Sequence, residues 1–261
     1  MAGSIFNRLL SSLTGGGAGG GGDLPMARLN AYFSPLSKVK RGLGNEAVRY
    51  VAEGDNSSVI LTLQHPTSQK GWQRRPRQWP DKDAEALLAR PQHWRIDQMQ
   101  RLGEVLAALE PLNHDWGTFG TKKSPAWLRH VVALWLPHER KPQPIAVLSD
   151  LAAQSGDAIA PTLDIVFSRD PHNYQAGNAA GRFTGLGEWL AASHDAIIAA
   201  APGLAADVRA ELASSMGRLG LQDDYRELLI DLATGSAKTV RTSARQALTA
   251  CDKSALTAAL D

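Results

Sequence analysis

Apolar residues recur at helical spacing along most of the chain. In Ser4 to Leu13 the residues Ile5, Phe6, Leu9, Leu10 and Leu13 are spaced by one, three and four, which gathers them on one face of a short helix. Asn45 to Glu53 and Asp81 to Arg90 read as helices, the second entered through Asp and closed before Pro91. Val59 to Leu63 is a short apolar run, strand or helix, too brief for its period to decide. Trp94, Ile96, Met99, Leu102, Leu106 and Leu109 predict a helix of about four turns, and the glycines of Asn113 to Gly120 break it. Ser124 followed by Pro125 has the form of an N-cap and first turn. Trp127, Leu128, Val131, Leu134 and Trp135 then line one helix face. After Pro142 and Pro144, Ile145, Leu148 and Leu151 open another helix, and Pro161 to Phe167 forms a further one. The expected fold is all-α, an irregular helical N-terminal part leading into a repeated helical stack.

Composition refines that picture. A chain of 261 residues with net charge +2, 43% hydrophobic and 21% charged, can bury one large core or two small ones, and is too apolar to stay unfolded throughout. Cys251 is the only cysteine, which excludes an intramolecular disulfide framework and a cysteine-based zinc site and fits a cytoplasmic setting. The longest apolar runs, Val131 to Leu136 and Ala196 to Ala201, fall far short of the roughly 20 residues of a membrane span. Three regions follow: a leader over 1–25, a tryptophan-containing helical region over 26–184, and repeats over 185–261. Gly15 to Gly22 is glycine except for Ala18 and reads as a flexible tether. The short helix before it is marginal alone, so it is expected to order only on a partner or a membrane surface, through Ile5, Phe6, Leu9 and Leu10. The alternatives are a disordered leader or a start at Met26. Charge is uneven: Asp23 to Arg101 is basic, and the remainder is acidic.

From Leu190 onward 18 of 72 residues are alanine, which suits thin helices packed closely. Val208-Arg209-Ala210-Glu211-Leu212 aligns without gaps on Val240-Arg241-Thr242-Ser243-Ala244, and Ser215-Met216 on Ala247-Leu248. Between them a second helix, Asp224 to Ala233, carries Tyr225, Leu228, Leu229 and Leu232 and ends at Thr234-Gly235-Ser236. Helix, turn, helix at a fixed period is the pattern of an α-solenoid. Ala237 to Leu248, AKTVRTSARQAL, resembles the first helix of a HEAT repeat, and Asp207 to Leu219 resembles it more loosely, with Leu212 where the family prefers alanine. The tryptophan-rich front joined to these repeats also resembles the N-terminal part of large bacterial MolR-like proteins. The HEAT resemblance implies structural roles for Val208, Arg209, Leu212, Val240, Arg241, Ala244 and Leu248. Each arginine is then expected to pair with an acidic residue, Asp207 or Asp231. After Ala250 only a short apolar segment with Leu256 and Leu260 remains. A solenoid normally closes with a polar cap, so this end is expected to be an interaction surface, for another copy or for repeats lost by truncation.

No reaction motif stands out. The seven histidines show no i, i+4 pair, and the loop pairs His114-Asp115 and Asp170-Pro171-His172 read as turns. Gly181 to Gly187, GRFTGLG, lacks the preceding strand and the lysine of a phosphate loop, and reads as a turn with a helix starting at Thr184. No catalytic residue, metal site or cofactor is expected. The best binding candidate is KGWQRRPRQWP, read as a proline-stiffened loop, where Lys70, Arg74, Arg75 and Arg77 supply cations and Trp72 and Trp79 supply stacking surfaces. The leading expectation is a non-enzymatic scaffold that binds another protein. The alternative is nucleic-acid binding, with a HEAT-like DNA glycosylase as its enzyme form.

Overall fold

The structure is a computed structural model, and it describes residues 22, 24–74, 94–110, 119–121, 123–139, 141–169 and 178–249. Among these lie thirteen α-helices and two strands of two residues each, so the fold is all-α. The helices are α1 (Met26–Phe33), α2 (Leu43–Glu53), α3 (Val59–Gln64), α4 (Pro66–Gln73), α5 (Ile96–Leu109), α6 (Ala126–Trp135), α7 (Ile145–Ala153), α8 (Ile159–Phe167), α9 (Leu186–Ala192), α10 (His194–Ala200), α11 (Ala206–Arg218), α12 (Arg226–Thr234) and α13 (Lys238–Leu248). The strands are β1 (Gln143–Pro144) and β2 (Phe183–Thr184). The stretch 59–63 is thus helical, and the helix over 81–90 falls outside the described residues.

The front is organised around α5. Its face of Met99, Leu102, Val105, Leu106 and Leu109 is fully or almost fully buried, and the helix touches α2, α3, α4, α6 and α7. Gly103 lets α6 approach: a Cβ there would lie 2.4 Å from the Trp127 carbonyl oxygen. The aromatic packing is dense. The Trp72 ring lies 5.4 Å from that of Tyr32 and 5.7 Å from that of Phe33. At one edge of α5 the Tyr50 hydroxyl donates to Glu104, and Arg101 donates to the carbonyls of Val51 and Ala52. These bonds tie α2 to α5 where apolar contact alone would let the helices slide.

Two expectations fail here for physical reasons. Lys70 to Gln73 is not loop but the last turn of α4, which Pro66 opens; proline costs nothing at a first helical position, where its missing N–H has no partner in any case. Ser124 does not cap α6. Pro125 occupies the cap position without a side-chain bond, and the Ser124 hydroxyl donates to Asp164 at 2.5 Å instead.

At the rear, α11 and α13 begin at Ala206 and Lys238, in the same register as the aligned sequence segments, and pack along each other. α12 packs against α13, and α8 carries α11 on the front of the molecule. Val208, Leu212, Ala213 and Met216 of α11 meet a core that includes Val240, Ala244 and Ala247 of α13. The expected arginine pairs are not formed. Arg241 donates to the carbonyls of Gly235 at 3.0 Å and of Ser236, bonding the turn that precedes its own helix rather than Asp231. Arg209 makes no ion pair with Asp207, and its buried Nε lacks a hydrogen-bond partner. An arginine near the start of a helix lies close to the turn it has just left, so its backbone carbonyls are nearer acceptors. Buried side chains from Leu24 to Ala247 form one connected cluster.

Candidate functional site

A groove of about 980 Å³ opens where the glycine-rich stretch after residue 178 faces α11. One wall is pinned by pairing between distant segments. β2 runs parallel to β1, with Phe183 opposite Gln143 and Thr184 opposite Pro144. The Asn178 side chain accepts from the Ala180 N–H at 2.9 Å, and Arg182 donates to the Leu136 carbonyl at 3.3 Å. Phe183 is buried, its ring 6.3 Å from that of Trp135. α9 follows, held down by Trp189, whose indole N–H donates to the Ser149 hydroxyl of α7 at 3.2 Å. Among the described residues β2 pairs with β1 alone.

The other wall is the C-terminal half of α11 and the turn after it. Leu221 N–H donates to the Met216 carbonyl at 2.9 Å and Gly220 N–H to that of Gly217 at 3.4 Å, the paired bonds of a Schellman cap. Gly220 takes φ +74°, a conformation that side-chain-bearing residues rarely adopt. This turn brings Leu219 and Leu221 to the groove, and Leu219 is 44% exposed. On α11 itself, Arg218 bonds Glu211 at 2.8 Å and the Ser215 hydroxyl at 2.7 Å, so the cation is already satisfied within the helix. Across the groove Glu188 makes no ion pair with a described residue and leaves an uncompensated carboxylate beside Leu186 and Leu219. A Cβ added at Gly181 or Gly187 would meet no atom within 4 Å. The groove therefore offers open apolar surface and a carboxylate without an ion-pair partner among the described residues. That lining suits a segment of polypeptide.

The sequence-derived site residues fare differently. Trp72 is fully buried and its indole N–H donates to Glu110 at 2.5 Å, so it anchors α4 to the end of α5 and is closed to a stacking base. Lys70 and Arg74 are exposed at the end of α4. Arg75, Arg77 and Trp79 lie outside the described residues, as do Ile5, Phe6, Leu9, Leu10, Leu256, Leu260 and the pairs His114-Asp115 and Asp170-His172. Glycines 181, 185 and 187, read as a turn, line the groove, and the helix there begins at Leu186 rather than Thr184. The missed signal was the run of residues without side chains beside Phe183 and Leu186, which leaves surface uncovered.

Two polar clusters lie elsewhere. Asp164, fully buried on α8, accepts from Thr121 N–H at 2.7 Å, the Thr121 hydroxyl at 2.8 Å and the Ser124 hydroxyl at 2.5 Å. It thereby fastens the approach to α6 onto α8. Arg129 of α6 is buried nearby; burial lowers its pKa and the charge of Asp164 opposes that shift. Next to it, burial brings His130 down to about 4 against a smaller upward pull from Glu110, so the ring is neutral at pH 7. Among the described residues no group of three or more His, Cys, Asp or Glu is placed to hold a metal ion, and no helix is long and apolar enough to cross a membrane. No protein-family model matches the chain, and neither a curated protein nor a solved structure does so.

Proposed function

We propose that the chain is a non-catalytic interaction module, its C-terminal third a HEAT-like stack, and that it binds an extended segment of another protein in the groove between β2–α9 and α11. The observation that carries this reading is the groove itself, an open channel of about 980 Å³ bordered by Leu186, Leu219 and Leu221. Glu188 selects for a segment that carries a lysine or arginine, because a cation there meets an unshared carboxylate. The HEAT-like part of the reading is supported by the matched register of α11 and α13 and by their packing. Its scaffold role would use the stack as a rigid support for the groove wall.

The test is capture of binding proteins by the full chain, compared between wild type and Gly187→Trp. The added indole fills the groove, and the first atom of that side chain enters open space. Loss of specific captured proteins with Gly187→Trp, and their retention with Leu61→Glu on exposed α3 surface, supports the reading. Salt-dependent duplex binding in a gel shift, unchanged by Gly187→Trp, would replace it with nucleic-acid recognition.

A further inference from the structure

His194 stands at the first position of α10, where α9 hands over to the next helix, and its ring bridges two parts of the chain. Nδ1 lies 2.8 Å from the Asp195 carboxylate and Nε2 lies 2.9 Å from the backbone carbonyl oxygen of Asp224. Both partners are pure acceptors at neutral pH. An imidazole satisfies two acceptors at once only when both nitrogens carry a proton, which is the imidazolium form. The ring also lies against Tyr225, with centroids 4.8 Å apart, and the Tyr225 hydroxyl donates to the Leu190 carbonyl of α9 at 2.6 Å. The carbonyl that His194 grips belongs to the connection between α11 and α12, the same connection whose Leu219 and Leu221 line the groove. On the other side of the joint, α9 supplies Leu186, Gly187, Glu188 and Ala191 to the opposite wall. His194 and Tyr225 are thus two bolts between the walls, and one of them titrates.

We propose that His194 is a pH-sensitive latch on the groove: protonated, it holds the α11–α12 connection to the α9–α10 joint through two bonds, and on deprotonation it keeps only one of them and its hold on that wall weakens. This rests on the groove being the binding site. The charged groups around the ring all favour the protonated state. Its hydrogen bond to Asp195, and then that to the Asp224 carbonyl, raise its pKa; burial opposes them by less than either, and the charges of the Asp195 and Asp224 carboxylates add to the rise. Among the described residues, the elements packed on α10 add no competing cation at the ring. On α8 the one titratable side chain, Asp164, is turned into the Thr121–Ser124 cluster, and on α9 it is Glu188, at the groove. Before α12, Asp223 pairs with Arg226 at 2.8 Å, and Tyr225, buried beside Asp224, has its pKa raised and stays neutral. The Asp195 carboxylate is fully exposed, so water screens that contact, and the expected effect is small, about twofold to fivefold.

The experiment is NMR on the isolated protein, following the His194 ring signals and the amide exchange of Leu221 to Tyr225 across pH 5.5 to 8.5. Exchange rates are corrected for their intrinsic dependence on pH. The latch predicts that His194 titrates above the ordinary imidazole value of about 6.5. It also predicts that protection of these amides falls about twofold to fivefold on the same titration curve. His194→Ala should give the low-protection state at every pH, and Asp195→Asn should move both curves downward together. A histidine that titrates at or below the ordinary value, or protection that ignores its titration, overturns the latch. These readouts need no partner. Failure of groove capture with an intact titration therefore counts against the binding reading alone, and the reverse counts against the latch alone.

Discussion

The front and rear of this molecule solve the same packing problem with different side chains. Around α5 the helices are held apart by large rings and locked by polar anchors: Trp72 reaches Glu110, and Tyr50 reaches Glu104. Burial and Glu104 push the Tyr50 hydroxyl up to about 12, so that donor stays protonated at any ordinary pH. Between α11 and α13 the contact is made by Val208, Leu212, Ala213 and Met216 against Val240, Ala244 and Ala247, with no indole between the helices. Where rings fill a core, each is expensive to lose. Where small residues let helices approach, the danger is addition. The groove lies where the two styles meet, bordered by Phe183 from the aromatic side and by α11 from the alanine-rich side.

The comparison breaks most visibly at Trp72. Trp72→Ala should lower stability by about 3–5 kcal/mol in chemical denaturation, since the ring is fully buried and its bond to Glu110 is lost. A loss under about 1 kcal/mol would mean that the front core is looser than its packing implies. Next in size is acid sensitivity, also a property of the front. His130 titrates at about 4 when folded and at about 6.5 when unfolded, so between these values the unfolded chain binds the extra proton. Stability should therefore fall by about 3 kcal/mol as pH drops from about 6.5 to 4. Denaturation curves of His130→Leu should lack that component. His194 acts in the opposite sense. Its raised folded pKa contributes stability fully present below about 6.5 and lost as pH rises through that folded value.

The rear should respond to added volume. Ala244→Leu on fully buried surface is expected to cost about 1–3 kcal/mol, measured against Ala210→Leu on the half-buried part of α11 as control. Equal costs at both positions would mean that the close approach of α11 and α13 is not what limits the packing. The smallest effect belongs to the junction. Gly187→Ala should be neutral to stabilising by up to about 1 kcal/mol, because it improves a helix and its methyl group meets only open space. A clear destabilisation would show that the groove is filled in solution by the protein itself.

Which parts were legible in the sequence follows from the range of the interactions that make them. α5, α6, α11 and α13 carry their apolar residues at helical period, and that local signal is enough. α4 was hidden because Gly71 and the prolines at 76 and 80 argue for a loop, while the force holding the helix is the burial of Trp72 against Phe33 and Tyr32, far away in sequence. Arg241 was misassigned because a family pattern supplies a partner without its distance, and two nearby carbonyls were closer. The groove was invisible for a similar reason. It exists because β1 and β2 pair across forty residues and because Gly220 turns Leu219 and Leu221 outward. Neither relation has a local period. The open glycines at 181 and 187 were the one accessible hint.

Crosslinking is the decisive test for a segment of another protein in the groove. A photoreactive amino acid replaces Gly187 in one sample and the exposed Leu61 of α3 in a second, and crosslinked peptides are sequenced by mass spectrometry. One recurrent partner peptide, apolar with a lysine or arginine, should be joined at position 187 and absent from position 61. The same partner peptide joined at 61 and never at 187 would contradict binding in the groove.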